Sequence, residues 1–330
     1  MRFFREAFKQ RTKGVKSGEL YKHLNDKEIT TDKTKIAWTD NLKNNLIKNK
    51  NLQESHEKHI RLAMYRPFNK QWLYWDKDWI KRQGQFSKIF PDKSAQNVVI
   101  NTGVDNGKNF SALVSDFISS CQVYPLYYYD DLGNRHHAIS GYALNLFRKH
   151  YEDNSIAEEE IFYYIYAILH HKGYLEKYKN SLAKEDPRIA LSEDFKELSI
   201  LGKELAKLHL NYESGEMHAS VEYKTLMNAE EKGYYDVETM TKKGDRIHYN
   251  NHIAITKIPE KAFDYVVNGK SAIDWVIERY KKTRGEDNLI ENNPNDYKDG
   301  KYVFELLCRV IKLSEKSVDL IEKISEKRFE

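Results

Sequence analysis

The chain has 330 residues, 40% hydrophobic and 32% charged, with a mean hydropathy of −0.77, which suits a heavily solvated protein of two domains or one large one. No apolar run approaches the ~18 residues needed to span a bilayer, and Met1-Arg2-Phe3-Phe4-Arg5 lacks the apolar core of a secretion signal, so no membrane partner and a cytoplasmic location are expected. Cys121 and Cys308 are the only cysteines, which excludes a disulfide framework or a cysteine-rich zinc site, and both are expected to be buried.

The net charge of +4 conceals an asymmetry. Residues 1–100 hold 22 Lys and Arg against 11 Asp and Glu, whereas the remainder holds 32 against 39. A basic first third on an acidic remainder points to one face suited to a polyanion and another that stays in solvent or meets protein.

In chain order, residues 2–13 and 38–50 read as short basic helices in a connector or arm, taken as residues 1–57. From His59 the period changes to that of strands. Ile60, Leu62 and Met64 alternate with polar residues, followed by Trp72 and Tyr74, Val98 to Ile100, and Val123 to Tyr129, with turns at Asn106-Gly107 and Leu132-Gly133-Asn134. This β-rich part runs to about 135, and a mainly helical part follows from 136 to 330, with a short β insertion near 220–256. One helix carries Ile161, Phe162, Ile165, Ile168 and Leu169 behind acidic Glu158 to Glu160, which complement the positive end of its dipole. A second carries Phe195, Leu198, Leu201, Leu205 and Leu208, with Ser192 as its expected cap. Pro259 is expected to open a helix through Ala262, Phe263, Val266 and Val267. Ser271 to Asp274 forms a capping box ahead of Ile273, Val276 and Ile277, and two helices, about 302–313 and 315–325, close the chain. The expected class is α+β, a mixed β-sheet region followed by a largely helical region.

Motifs for catalysis are few. The sequence has no Gly-rich phosphate loop and no dinucleotide fingerprint, so no cofactor is implied. His136-His137 and His170-His171 point adjacent side chains apart and do not form metal sites alone. Glu222-Tyr223-Lys224 and Glu230-Glu231-Lys232 have the Glu-x-Lys spacing of some metal-dependent nucleases, a spacing that a Glu- and Lys-rich chain produces by chance. Asn293-Pro294-Asn295-Asp296 lacks the second proline and the ring of the Asn-Pro-Pro-Tyr loop that grips a flipped adenine, and reads as a turn. Tyr163, Tyr164 and Tyr166 cannot share one helix face and read as packing residues, as do Trp275 and Tyr280.

Several longer strings carry a resemblance. They are Met64-Tyr65-Arg66-Pro67-Phe68 with Trp72-Leu73-Tyr74, then Pro125-Leu126-Tyr127, and Glu160 to His170. Pro187-Arg188-Ile189, Leu201-Gly202-Lys203-Glu204-Leu205-Ala206-Lys207-Leu208-His209, Tyr265 to Ser271 and Trp275 to Tyr280 follow. Their order and spacing resemble the C-terminal specificity domain of type ISP single-polypeptide restriction-modification enzymes, from about residue 58 to the C-terminus. The resemblance implies a non-catalytic target-recognition domain for double-stranded DNA. It also implies methyltransferase and helicase-like domains, placed upstream in the same or a partner chain, as partners. The matched strings are mostly helix faces and turns, so they identify the scaffold and not the base-reading residues.

Residue chemistry supplies the candidates. Guanidinium and ammonium groups neutralise phosphates, whereas Arg, Asn and Gln pair with base edges. On that basis Arg66, Lys70, Lys81, Arg82, Gln83, Gln85, Lys88, Lys108 and Asn109 are the expected DNA contacts, with Lys242, Lys243 and Arg246 as a second loop. Arg82, Gln83 and Gln85, beside Gly84, are the preferred base readers. The competing functions are a protein-interaction module of a restriction or helicase complex, and a small metal-dependent nuclease using Glu222 and Lys224.

Overall fold

The computed structural model describes residues 13–14, 40–47, 57–76, 79–80, 83–105, 109–224, 233–237, 239–284, 291–296 and 300–329. They fall into two compact units: residues 1–61, 72–85 and 283–292 form the smaller, and residues 62–71, 86–282 and 293–330 the larger. The division passes through β1 (Ile60–Arg66) and β2 (Asn69–Tyr74), so the tip of this hairpin belongs to the larger unit.

In the smaller unit, helix α1 (Asp40–Ile47) buries Leu42 and Asn45. The single 3-10 turn Glu57–His59 is tied to the end of β2, because Trp75 donates its backbone N–H to the His59 carbonyl at 2.7 Å. A two-stranded hairpin, Thr283–Arg284 with Glu291–Asn292, completes what is described there.

Alternation and turn chemistry lay down the strands of the larger unit. β3 (Val99–Asp105) is the centre of an antiparallel sheet, between β4 (Asn109–Ser115) and β6 (Gln122–Pro125). The short β5 (Ile118–Ser119) turns away and runs parallel to β1, Ala63 opposite Ile118, which makes the β region mixed. Asn101 fastens the junction, donating to the Leu113 carbonyl and Ser115 Oγ while its own oxygen accepts from Ser119. β7 (Tyr127–Tyr129) and β8 (Arg135–His137) form a separate hairpin. Short helix α2 (Phe86–Ile89) precedes the sheet.

The helical part begins with α3 (Gly141–His150), capped by Ser140, and α4 (Glu158–Ile168). Glu158 to Glu160 meet the α4 dipole as expected, and the Glu160 carboxylate also accepts the Ala157 N–H at 2.8 Å. α4 is buried nearly all round: Ile161, Phe162, Tyr164 and Tyr166 to Ile168 are inaccessible, so these tyrosines are packing residues. Two short helices, α5 (Lys172–Lys177) and α6 (Lys179–Leu182), lead to α7 (Phe195–Leu210), which crosses α4 at Gly202. Ser192 is not the direct cap of α7. Its hydroxyl is buried, accepts the Asp194 N–H and donates to the Arg328 carbonyl, which pins the C-terminus instead.

A second layer follows. Strands β9 (Val221–Tyr223), β10 (Thr241–Lys243), β11 (Arg246–His248) and β12 (Ile253–Ile255) form an antiparallel sheet in the order β10-β11-β12-β9. Beyond Pro259 the chain makes only one 3-10 turn, Glu260–Phe263, and not the longer helix expected. Val266 and Val267 are instead β13, paired with β14 (Lys270–Ser271) across Asn268-Gly269. Both turn residues have positive φ, 48° and 78°, a conformation that Asn and Gly tolerate and that two-residue hairpins require. Ser271 then caps α8 (Ala272–Arg279) by accepting the Asp274 N–H. Trp275 and Tyr280 are core residues, the indole donating to the Val267 carbonyl.

A single helix, α9 (Tyr302–Ser325), replaces the two expected at the end. Ser314 and Ser317 do not interrupt it, because both hydroxyls bond back to carbonyls four residues earlier. α9 serves two apolar cores. Val303 to Val318 pack with the β9–β12 sheet and α8, and Ile324 packs with α4 and α7.

Candidate nucleic-acid interface

Charge pairing sorts the expected contacts. Lys70, on β2, has its ammonium 2.7 Å from Glu213 and lies over the Phe117 and Tyr212 rings, with its side chain only 11% exposed. Its charge is thus engaged inside the fold. Beside it, burial raises the Asp116 carboxyl above the ordinary range. Lys242 is held by both carboxylate oxygens of Asp274, and Arg246 makes a two-pronged contact with Glu222 at 2.8 and 3.0 Å. These three cations must break an existing pair before they can meet a phosphate.

Others are available. Arg66 is exposed at the end of β1, its guanidinium 4.7 Å from the centre of the Tyr65 ring and donating to the Tyr65 carbonyl, so it is held outward. It also faces the thiol of half-buried Cys121, which burial raises and Arg66 partly lowers. Lys243 is exposed at the β10–β11 turn with no carboxylate partner among the described residues. Asn109 is exposed where β4 begins. In the smaller unit, Gln83 and Gln85 flank Gly84, whose φ of 58° places it in a turn. Lys81, Arg82 and Lys108 lie outside the described residues.

Lys88 leads to residues that composition alone did not single out. On α2, it points toward Asp131 at the β7–β8 tip, a 3.9 Å contact between two well-exposed side chains that adds little stability. On one face of that hairpin Tyr128 and His136 stack at 5.2 Å, both exposed. On the other, the Arg135 guanidinium lies 4.3 Å over the Tyr127 ring. Tyr127 donates to Glu159 at 2.7 Å, and burial with that bond pushes its hydroxyl up to about 12. The Asn97 side chain brackets Tyr127, donating to its carbonyl and accepting its N–H. The result is a rigid hairpin carrying a cation and a ring pair outward. The signal was present in Tyr127-Tyr128-Tyr129, Leu132-Gly133-Asn134 and Arg135-His136, where rings and cations bracket a turn.

Other features are less suited to a polyanion. A cleft of about 490 Å³ between α7 and α9 is lined by Lys207, Lys316 and Lys323, but also by Glu204 and Asp319. Lys316 there is already paired with Glu216. Among the described residues no three His, Cys, Asp or Glu side chains gather as a metal site, and no helix is long and apolar enough to cross a membrane. Asn293 to Asp296 form the expected turn, where Asn295 secures both backbone groups of Val237.

The architecture is therefore an α+β scaffold whose outward cations and rings sit on strand ends and hairpins. The chain belongs to the family of Type ISP C-terminal specificity domains, whose family model matches residues 1–306 and so includes the first 57 residues as well. Among solved structures, it is similar to the ATP-dependent Type ISP restriction-modification enzyme LlaBIII bound to DNA. That match has a TM-score of 0.82 and 31% identity, over 100% of this chain and 22% of that one. A nuclease-deletion mutant of the Type ISP restriction-modification enzyme LlaGI, in complex with a DNA substrate mimic, matches with a TM-score of 0.79 and 31% identity over 99% of this chain and 30% of that one. The DrdV–DNA complex matches with a TM-score of 0.81 and 28% identity, over 98% and 33%. The chain thus spans between a fifth and a third of these larger polypeptides. No curated protein matches it.

Proposed function

We propose that this chain reads double-stranded DNA sequence as the specificity part of a type ISP restriction-modification enzyme, and that methyltransferase and nuclease or translocase domains act on the DNA it positions. The observation that carries this reading is family membership together with likeness, over nearly the whole chain, to enzymes solved with DNA. Residues 1–57 would serve as a basic connector and residues 58–330 as the recognition domain. Catalysis is assigned elsewhere, because the residues the nuclease alternative needs are otherwise engaged: Glu222 grips Arg246, and the Lys224 ammonium lies 3.4 Å from His248.

In this reading Arg66, Lys88, Lys243 and Arg135 hold phosphates, and Gln83, Gln85 and Asn109 are the amide candidates for base edges. Lys70, Lys242 and Arg246 contribute by holding the fold that presents them. Binding of fluorescent duplex DNA across a range of salt tests this division. Affinity should fall steeply as salt rises, and Arg66→Ala, Lys88→Ala or Arg135→Ala should each reduce the logarithmic slope by about 1. Binding that ignored salt, or slopes unchanged in all three variants, would contradict it.

A further inference from the structure

The tip of the β7–β8 hairpin displays a large apolar side chain to solvent on a support built to keep it there. Leu132 is 88% exposed, the highest value of any large hydrophobic residue among those described. A flexible loop would let such a side chain fold back, but this tip is fixed. Asp130 accepts the Leu132 N–H at 2.9 Å, the Asn134 N–H at 2.8 Å, the Asn134 side-chain amide at 3.0 Å, and bonds His136 Nε2 at 3.0 Å. Backbone bonds from Gly133 to Asp130 and from Asp130 to Asn134 close the turn, and Gly133 takes a φ of 84° that other residues adopt reluctantly.

The surroundings favour a nucleic-acid partner. His136 and the turn amides satisfy the Asp130 carboxylate with hydrogen bonds and hold its carboxyl well below the usual range, so it stays ionised and turned into the loop. Asp131 faces Lys88, and Arg135 directly follows the turn. At the base of the finger, Asn97 and Glu159 grip Tyr127, and backbone bonds join Leu126 to Val98 and Ala138 to Leu126. An apolar residue at the tip of a rigid projection, with Lys88 and Arg135 nearby to meet phosphates, is suited to wedging open a base step: phosphate contacts seat the projection, and burial of the side chain offsets lost stacking.

We propose that the β7–β8 hairpin is a DNA-probing finger that enters a groove and inserts Leu132 against one base step. This rests on the DNA-reading function above and names the part that deforms the duplex. Specificity would then include the ease with which that step unstacks, which no hydrogen-bonding side chain reports.

The test uses duplexes selected by the wild-type chain, with 2-aminopurine replacing adenine at successive positions. Its fluorescence rises when it loses its stacking neighbours. The expected result is a rise confined to one step with wild-type protein, lost in Leu132→Ala and retained in Leu132→Met. Leu132→Ala should bind about tenfold more weakly, the scale of one partly buried leucine, with an unchanged melting temperature. Tight binding with 2-aminopurine silent at every position, or a signal that survives Leu132→Ala, would overturn the finger and leave DNA reading intact. Failure of the wild-type chain to bind any duplex would remove both.

Discussion

Replacing Gly202 by alanine is expected to destabilise the protein by about 4 kcal/mol or more, because the new methyl group has no place to go. Its carbon would lie 2.0 Å from the Tyr163 carbonyl oxygen, 2.9 Å from the carbonyl carbon and 3.1 Å from the Ala167 side chain. The obstacle is backbone of a largely buried helix, so relief requires separating α4 from α7. These two helices form the floor under β4: Val114 donates its N–H to the Tyr166 hydroxyl, and Phe195, Leu198 and Leu205 share a core with Ile100 and Val114. Thermal unfolding should show a fall of roughly 10 °C or more. Gly141→Ala, at the first turn of α3 with nothing within 4 Å, is the control and should change little. Equal melting temperatures for Gly202→Ala and wild type would show that the helices do not cross this closely.

Acid should loosen the same region. His209 lies between the two cores of the larger unit, accepting from the Tyr166 hydroxyl at Nδ1, 2.6 Å away, and donating from Nε2 to Ser317 at 2.9 Å. Ser317 spends its own proton on the Leu313 carbonyl, which assigns His209 as the neutral Nε2–H form. Burial holds His209 well below its ordinary value, and the nearby His170 adds to this. Burial likewise lowers His170 to about 4 from 6.5, although its bond to the Tyr166 carbonyl pulls the other way. Both folded values lie below the unfolded one, so the contribution is complete above pH 6.5 and is lost as pH falls toward 4. For His170 alone the loss by pH 4 is about 3 kcal/mol at 1.36 kcal/mol per unit. The melting temperature should therefore drop by about 10 °C between pH 7 and pH 4 beyond the loss seen in a His170→Gln, His209→Gln double variant. Parallel pH profiles for the two proteins would contradict this.

What the sequence revealed and what it hid follow from the range of the interactions. Local periodicity and capping chemistry located α4, α7, α8 and the strands from Ile60 onward, because a stripe or an alternation is written in consecutive residues. The ends of elements were less legible. The break expected at residue 314 does not occur, because the Ser314 hydroxyl bonds back to the Val310 carbonyl within the helix, which the sequence does not say. Val266 and Val267 suited either helix or strand until the positive φ values at Asn268 and Gly269 decided for a hairpin. The resemblance marked the scaffold correctly, because the strings that carry it are the faces and turns that build the cores.

Charge was the least legible feature. Nothing near Lys70 in the sequence points to Glu213, 143 residues away, or near Arg246 to Glu222, 24 residues earlier and two strands across the sheet. A cation that is free and one that is spent look alike in one dimension. Arg135 and Tyr128 were overlooked for the opposite reason, because the turn between them reads as punctuation until the structure shows a rigid, solvent-facing hairpin. Burial, exposure and pairing are properties of the assembled core, and they decide which cations remain to meet a phosphate.

The most direct measurement is selection of duplexes from a fully randomised DNA library by the purified 330-residue chain, at moderate salt and without nucleotide or metal. DNA reading by this domain predicts enrichment of one short sequence family over successive rounds, bound more tightly than the starting pool by a factor that persists as salt rises. A final pool indistinguishable in sequence from the first would contradict it.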